Sequence, residues 1–187
     1  MFRTAIFIVL LTGFSFEACL QSNTDQHQQK ATEESADAFV DASGDSIFMI
    51  RKSEKEWMEQ LDPQAYNVLR EKGTERPFTG EYNKFKKEGV YMCRACKLSL
   101  FSSDAKFNSG TGWPSFFQPI DETHVLEVTD SSHGMKRVEV LCRRCGGHLG
   151  HVFEDGPKPT GLRYCMNSVS LSFEPSDNAN TESVNEE

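Results

Sequence analysis

Arg137-Val138-Glu139-Val140-Leu141-Cys142-Arg143-Arg144-Cys145-Gly146-Gly147 is the stretch that decides how this chain folds. Val138 and Val140 alternate with charged neighbours, the period-two pattern of a strand. That strand runs straight into a C-x-x-C hook. A second hook, Cys93-Arg94-Ala95-Cys96, follows the strand-like Gly89-Val90-Tyr91-Met92. Zinc takes four tetrahedral ligands, and two such turns at strand ends can share one ion. Gly146 and Gly147 permit the tight backbone turn this needs, whereas Lys97 after the first hook fits less well. Two redox dithiols or two disulfides are alternatives. So is a site of Cys142, Cys145, His148 and His151, but it leaves Cys93 and Cys96 without a role. We therefore expect one structural zinc on Cys93, Cys96, Cys142 and Cys145, closed to substrate.

Working outward, Ser53-Glu54-Lys55-Glu56 is a capping box and predicts a helix over Glu54 to Gln60. Asp62-Pro63 opens a second helix with an apolar face of Leu61, Ala65, Val68 and Leu69, ended by Gly73. Beyond Phe78 the helical period disappears. His124 to Val128 alternates, and Asn167 to Phe173 alternates with Val169, Leu171 and Phe173 on one face. The fold class expected is mainly β, antiparallel, with short N-terminal helices.

The chain has 187 residues, 37% of them hydrophobic, and a net charge of −8. That suits one domain with one core and argues against nucleic acid as partner, since phosphate binding needs a basic surface. Residues 1–18 read as a signal peptide: Arg3 supplies a basic start and Ala5 to Phe16 is almost wholly apolar, too short to span a bilayer. Cys19 after Ala18 resembles a bacterial lipoprotein cleavage site, although Phe16 and Glu17 depart from its usual pattern. Residues 19–46 are polar and are expected to be a disordered tether. Residues 47–174 form the domain, and 175–187 an acidic disordered tail. The expected location is exported, in a bacterial envelope on a lipid at Cys19, or secreted if Cys19 carries no lipid.

Cys165 stands alone in Arg163-Tyr164-Cys165-Met166-Asn167-Ser168. On an extended strand Arg163, Cys165 and Asn167 share a face, continued by Val169, Leu171 and Phe173. Arg163 would then favour the thiolate. The residues by themselves leave two readings open, a nucleophile or a buried inert cysteine. Gly147-His148-Leu149-Gly150-His151-Val152-Phe153 offers two imidazoles near the second hook. Gly110-Thr111-Gly112-Trp113-Pro114-Ser115-Phe116 suits a rigid apolar pocket wall.

These segments, with Glu71-Lys72-Gly73-Thr74-Glu75-Arg76-Pro77-Phe78 and both hooks, resemble the methionine-R-sulfoxide reductases from about Ser53 to Phe173. The resemblance implies two antiparallel sheets with N-terminal helices and one structural zinc. It implies reduction of methionine-R-sulfoxide, free or in protein, with Cys165 as nucleophile passing through a sulfenic acid. His148 or His151 would supply the proton, with Asp155 in support. Trp113 and Phe153 would wall the substrate site, and Arg163 and Asn167 would orient thiol and substrate. Many members carry a resolving cysteine where this chain has Thr111. A single-cysteine cycle is therefore expected, with a thioredoxin-like protein or a small thiol as reductant. A zinc-bearing binding module is the rival from another class; it gives Cys165 and Trp113 no task. A thiol peroxidase or general disulfide reductase is a second rival, and it leaves the aromatic pocket without a substrate.

Overall fold

In the computed structural model the residues described are 37–176. The expected signal peptide, Cys19 and the expected acidic tail beyond Ser176 lie outside them. Ser53 caps helix α1 (Glu54–Gln60) with the full capping box, and α1 buries Trp57. Asp62 caps α2 (Pro63–Glu71), accepting from the amides of Gln64 and Ala65, and α2 buries Ala65, Val68 and Leu69. The expected stop shifts by one residue: Lys72 takes the left-handed conformation (φ 58°), and Gly73 N–H closes the last turn onto Asn67 O at 2.9 Å. A Cβ at Gly73 would displace the exposed Asn67 side chain.

Two antiparallel sheets follow the helices. β3 (Gly89–Cys93) lies between β4 (Ser99–Ser102) and β11 (Leu171–Pro175). The larger sheet holds six strands in the order β5-β6-β10-β9-β8-β7. They are β5 (Lys106–Phe107), β6 (Ser115–Phe116), β7 (Val125–Asp130), β8 (Arg137–Cys142), β9 (His148–Phe153) and β10 (Arg163–Met166). Tyr91, Leu100, Phe101 and Leu171 from the small sheet and Phe116, Val140, Leu149 and Met166 from the large one belong to one core. These two sheets with their two helices are the architecture the resemblance implied.

Two expectations need correction. Residues 38–48, expected to be tether as far as Ser46, form a hairpin of β1 (Ala38–Val40) and β2 (Ser46–Phe48). Asp41 closes its turn by accepting the amides of Ser43 and Asp45, with Gly44 at φ 93°. Phe39 is buried in the core. The signal was present: Asp-Ala-Ser-Gly-Asp between two short apolar runs is turn chemistry.

Asn167 to Phe173 is not one strand either. The chain leaves the large sheet after Met166, makes a 3-10 turn over Ser168–Ser170, and enters the small sheet as β11. The alternating face is therefore cut in two. The cause is a buried acid far upstream. Glu75, 6% exposed, accepts the amides of Ser168 at 2.7 Å and Val169 at 3.0 Å. Glu75→Ala would orphan both donors in the interior. We expect it to cost about 2–4 kcal/mol, read as a shift of the urea midpoint.

Candidate active site and metal centre

Each C-x-x-C hook is the turn between two strands of one sheet: Cys93–Cys96 joins β3 to β4, and Cys142–Cys145 joins β8 to β9. The two turns repeat the same bonds. Lys97 N–H donates to Cys93 O and Gly146 N–H to Cys142 O, each at 2.8 Å. Lys97 adopts φ 63° where Gly146 has φ 68°, so the lysine bears a left-handed strain that the glycine avoids. Helix side chains brace both turns, Gln60 on Ala95 O and Arg70 on Cys145 O. The four buried sulfurs lie within 4.8 Å of one another, with Cys93–Cys145 at 3.7 Å and Cys96–Cys142 at 3.5 Å. A tetrahedral zinc with bonds of ~2.3 Å needs sulfurs about 3.8 Å apart, so this donor set fits the ion. Hydrogen bonds among the thiols push the Cys93 and Cys142 pKa values up and those of Cys96 and Cys145 down. Four thiolates this close require a cation between them. The alternative with His148 and His151 as ligands is not what the fold assembles.

Cys165 lies on β10 between two neighbours: its backbone partners are His151 on β9 and Ser115 on β6. β9 and β10 close tightly at Gly150, where a Cβ would run into Cys165 O. The thiol is half-buried and opens into a cleft of about 130 Å³. Trp113, Arg137, His151, Phe153 and Asn167 line the cleft with it. Such a space holds one small side-chain head, not a drug-sized ligand. A larger groove of about 620 Å³ runs beside Phe85 and Lys106, but neither a thiol nor an imidazole lines it.

The indole of Trp113 is fixed by its Nε1–H, which donates to Glu75 O at 3.2 Å. Thr111 Oγ1 lies 3.8 Å from Cys165 Sγ and 2.8 Å from Ser109 Oγ, which in turn meets Ser115 Oγ at 2.7 Å. Position 111 thus faces the thiol, and this chain presents a hydroxyl there. Burial pushes the Cys165 pKa up, and Thr111, Arg163 and Ser115 offset this only in part. Arg163 acts in the direction expected of it. Its guanidinium does favour the thiolate, but desolvation outweighs it. A thiol whose pKa lies above its usual value gains reactivity as pH rises towards it. Alkylation of Cys165 should therefore keep accelerating to above pH 9. Thr111→Val should move that rise to still higher pH, as followed by peptide mass mapping.

His151 and His148 have different surroundings. His151 lines the cleft, and its Nε2–H donates to Asp130 Oδ2 at 2.9 Å. Asp130 also takes Arg137 Nη2 at 2.7 Å. Ser132, by hydroxyl and amide, and His151 hold the Asp130 carboxyl well below the usual carboxylate range. His148 sits behind, its ring 5.5 Å from that of His151 and off the cleft lining. Burial pushes its imidazole pKa down, so it is neutral and donates from Nδ1 to Glu139 Oε1 at 2.7 Å. Asp155 does not back an imidazole. It holds Arg163 in a two-pronged pair, 2.8 and 2.9 Å, and that guanidinium lies 4.4 Å over the Phe153 ring. Asn167 reaches the cleft, but its amide is committed to Glu75 N and Leu149 O. The acids that orient the two imidazoles, Asp130 and Glu139, and the cleft residue Arg137 escaped the sequence reading. Only the pairing of β7 with β8 and of β8 with β9 brings them in.

A SelR domain model matches residues 61–175. Among curated relatives, a protein of Pseudomonas putida (strain W619) named peptide methionine sulfoxide reductase MsrB is 58% identical over 130 residues, 70% of this chain and 98% of its own. Proteins of the same name are 59% identical over 128 residues in Pseudomonas entomophila (strain L48), 68% and 98%, and 56% over 127 in Leptospira interrogans, 68% and 97%.

Proposed function

Because this chain belongs to the methionine-R-sulfoxide reductase B family, a peptide-methionine (R)-S-oxide reductase of protein repair, we propose that Cys165 is the nucleophile and the cleft beside it the substrate site. The observation that carries this is the half-buried thiol opening between Trp113, Phe153 and His151. The sulfoxide's methyl group packs on the indole. The Cys165 sulfur, as thiolate, attacks the sulfoxide sulfur. The substrate's S–O bond breaks once its oxygen is protonated, and the hydroxyl passes to the Cys165 sulfur as the S–S bond formed in the attack breaks with its electron pair left on the methionine sulfur, a transfer of two electrons from cysteine to methionine. The products are methionine and a Cys165 sulfenic acid. His151 is the proton donor to the departing oxygen, with Asp130 orienting its ring and His148 completing the wall behind. Arg163, held by Asp155, favours the thiolate, and Asn167 keeps the cleft floor in place.

Two external thiols then reduce the sulfenic acid, releasing water and a disulfide. A thioredoxin-like protein or a small thiol supplies them, since Thr111 offers no second sulfur. A zinc ion on Cys93, Cys96, Cys142 and Cys145 holds the two sheets together and takes no part in the chemistry. The apolar run from Ala5 to Phe16, with Ala18 just before Cys19, supports export and a lipid tether at Cys19. Cys19→Ser should then release the protein to the soluble fraction, and retention on the membrane would count against the tether.

The decisive assay offers separated R and S epimers of a methionine sulfoxide peptide with dithiothreitol. Turnover of the R epimer alone, with a 1,3-dione adduct forming on Cys165 when the thiol is withheld, is the expected result. A Cys165–Cys19 disulfide after one turnover would exclude the single-cysteine cycle.

A further inference from the structure

We propose that Asp41, Asp121 and His124 form a second metal site, for a divalent transition ion of zinc type, which fastens the N-terminal hairpin to the domain. One ligand atom from each residue falls within 4.8 Å of the others. Asp41 comes from the β1–β2 turn, and Asp121 and His124 from the 3-10 turn before β7. No thiol is involved, so the site is separate from the four-cysteine cluster.

The imidazole carries the argument. His124 is 7% exposed, and its Nδ1–H donates to Ser99 O at 2.6 Å. That bond places the ring proton on Nδ1 and leaves a lone pair on Nε2. A ligating histidine is held in this same way, by a carbonyl on its far nitrogen. Nε2 is buried and has no hydrogen-bond partner. The nearest carboxylate atom in an ion pair with it, Asp41 Oδ2, lies at 3.8 Å, too far for a hydrogen bond.

A buried lone pair beside two carboxylates and without a donor is unsatisfied unless a cation sits between them. The carboxylates are already aimed. Asp41 Oδ1 is engaged by the Ser43 and Asp45 amides, which leaves Oδ2 turned to the imidazole. Asp121 Oδ1 is engaged by Thr123 N and Oγ1, and its Oδ2 takes Ala42 N at 2.7 Å, with a lone pair to spare. Zinc bonds of 2.0–2.2 Å set tetrahedral N and O ligands about 3.4 Å apart, a contraction of a few tenths of an ångström from the Asp41–His124 spacing. One His, two carboxylates and a water make an acceptable zinc set. Its effect would be mechanical, linking the turn that ends β1 to the loop that begins β7.

The test is a zinc titration of the full chain with the cysteine site already loaded, read by native mass spectrometry. The unaltered protein should take two zinc ions and the Asp41→Asn/Asp121→Asn double variant one, as should His124→Ala. The asparagines keep the bonds from Ser43 N, Asp45 N and Thr123 N and give up the one from Ala42 N to Asp121 Oδ2, so the double variant decides the matter even if His124→Ala fails to fold. Hydrogen exchange gives an independent reading. At zinc one hundred times its Kd, opening of the hairpin amides of Phe39 and Ile47 should slow about 100-fold in the unaltered protein and not in the double variant. A single zinc in the unaltered chain, two in the double variant, or exchange unmoved by zinc would each overturn the proposal.

Discussion

Cys165→Ser is expected to lower kcat/KM for methionine-R-sulfoxide by at least ~10³-fold, about 4 kcal/mol of transition-state stabilisation. The hydroxyl is close in size to the thiol it replaces, and Cys165 is only half-buried, so the sheet should be undisturbed. What is lost is chemical. A serine oxygen does not ionise in the accessible pH range, and it cannot accept a further oxygen as sulfur does. Zinc content and the thermal midpoint should match the unaltered protein, which separates loss of the nucleophile from loss of the fold. Retained turnover would remove Cys165 from the reaction. Peroxide reduction with untouched sulfoxide would favour the thiol peroxidase reading instead.

Cys142→Ser should be the most damaging change to the fold. Its sulfur is fully buried at the point where the β8–β9 turn meets the β3–β4 turn. Zinc in a four-cysteine site supplies an apparent ~10–16 kcal/mol at neutral pH, against a net domain stability of about 5–15 kcal/mol. Loss of one ligand forfeits much of the former and leaves three crowded thiols in the interior. We expect the variant to be unfolded at 37 °C and to bind less than one zinc per chain, by circular dichroism and metal analysis. Stripping the unaltered protein of metal under mild denaturant should give the same state. A variant that melted where the parent does would show that the cluster is not a structural metal centre.

Much of the fold was legible because its signals are local. The capping box at Ser53, the Asp62-Pro63 start and the alternation around Val140 each act within a few residues, and the elements stand where those signals put them. The turn at Asp41 to Asp45 was equally local and was overlooked among polar neighbours. Asn167 to Phe173 was misread for a different reason. Its alternation is genuine, but two amides in the middle of it are claimed by Glu75, which is some ninety residues away in sequence.

The cysteines, Trp113 and the two imidazoles could be named from their motifs, whose spacing alone restricts them to a few kinds of chemistry. Tertiary structure decided the rest. It separated His151, at the cleft, from His148, neutral behind it, since both belong to one strand and only the packing of β8 and β10 against that strand tells them apart. It turned Asp155 towards Arg163 and brought Asp130 and Glu139 to the imidazoles. It also raised the Cys165 pKa, because the cost of burying a charge depends on how much water the folded surroundings exclude. Spacing along a chain can place a cation two residues from a thiol, but solvent exclusion exists only once distant segments have closed over it.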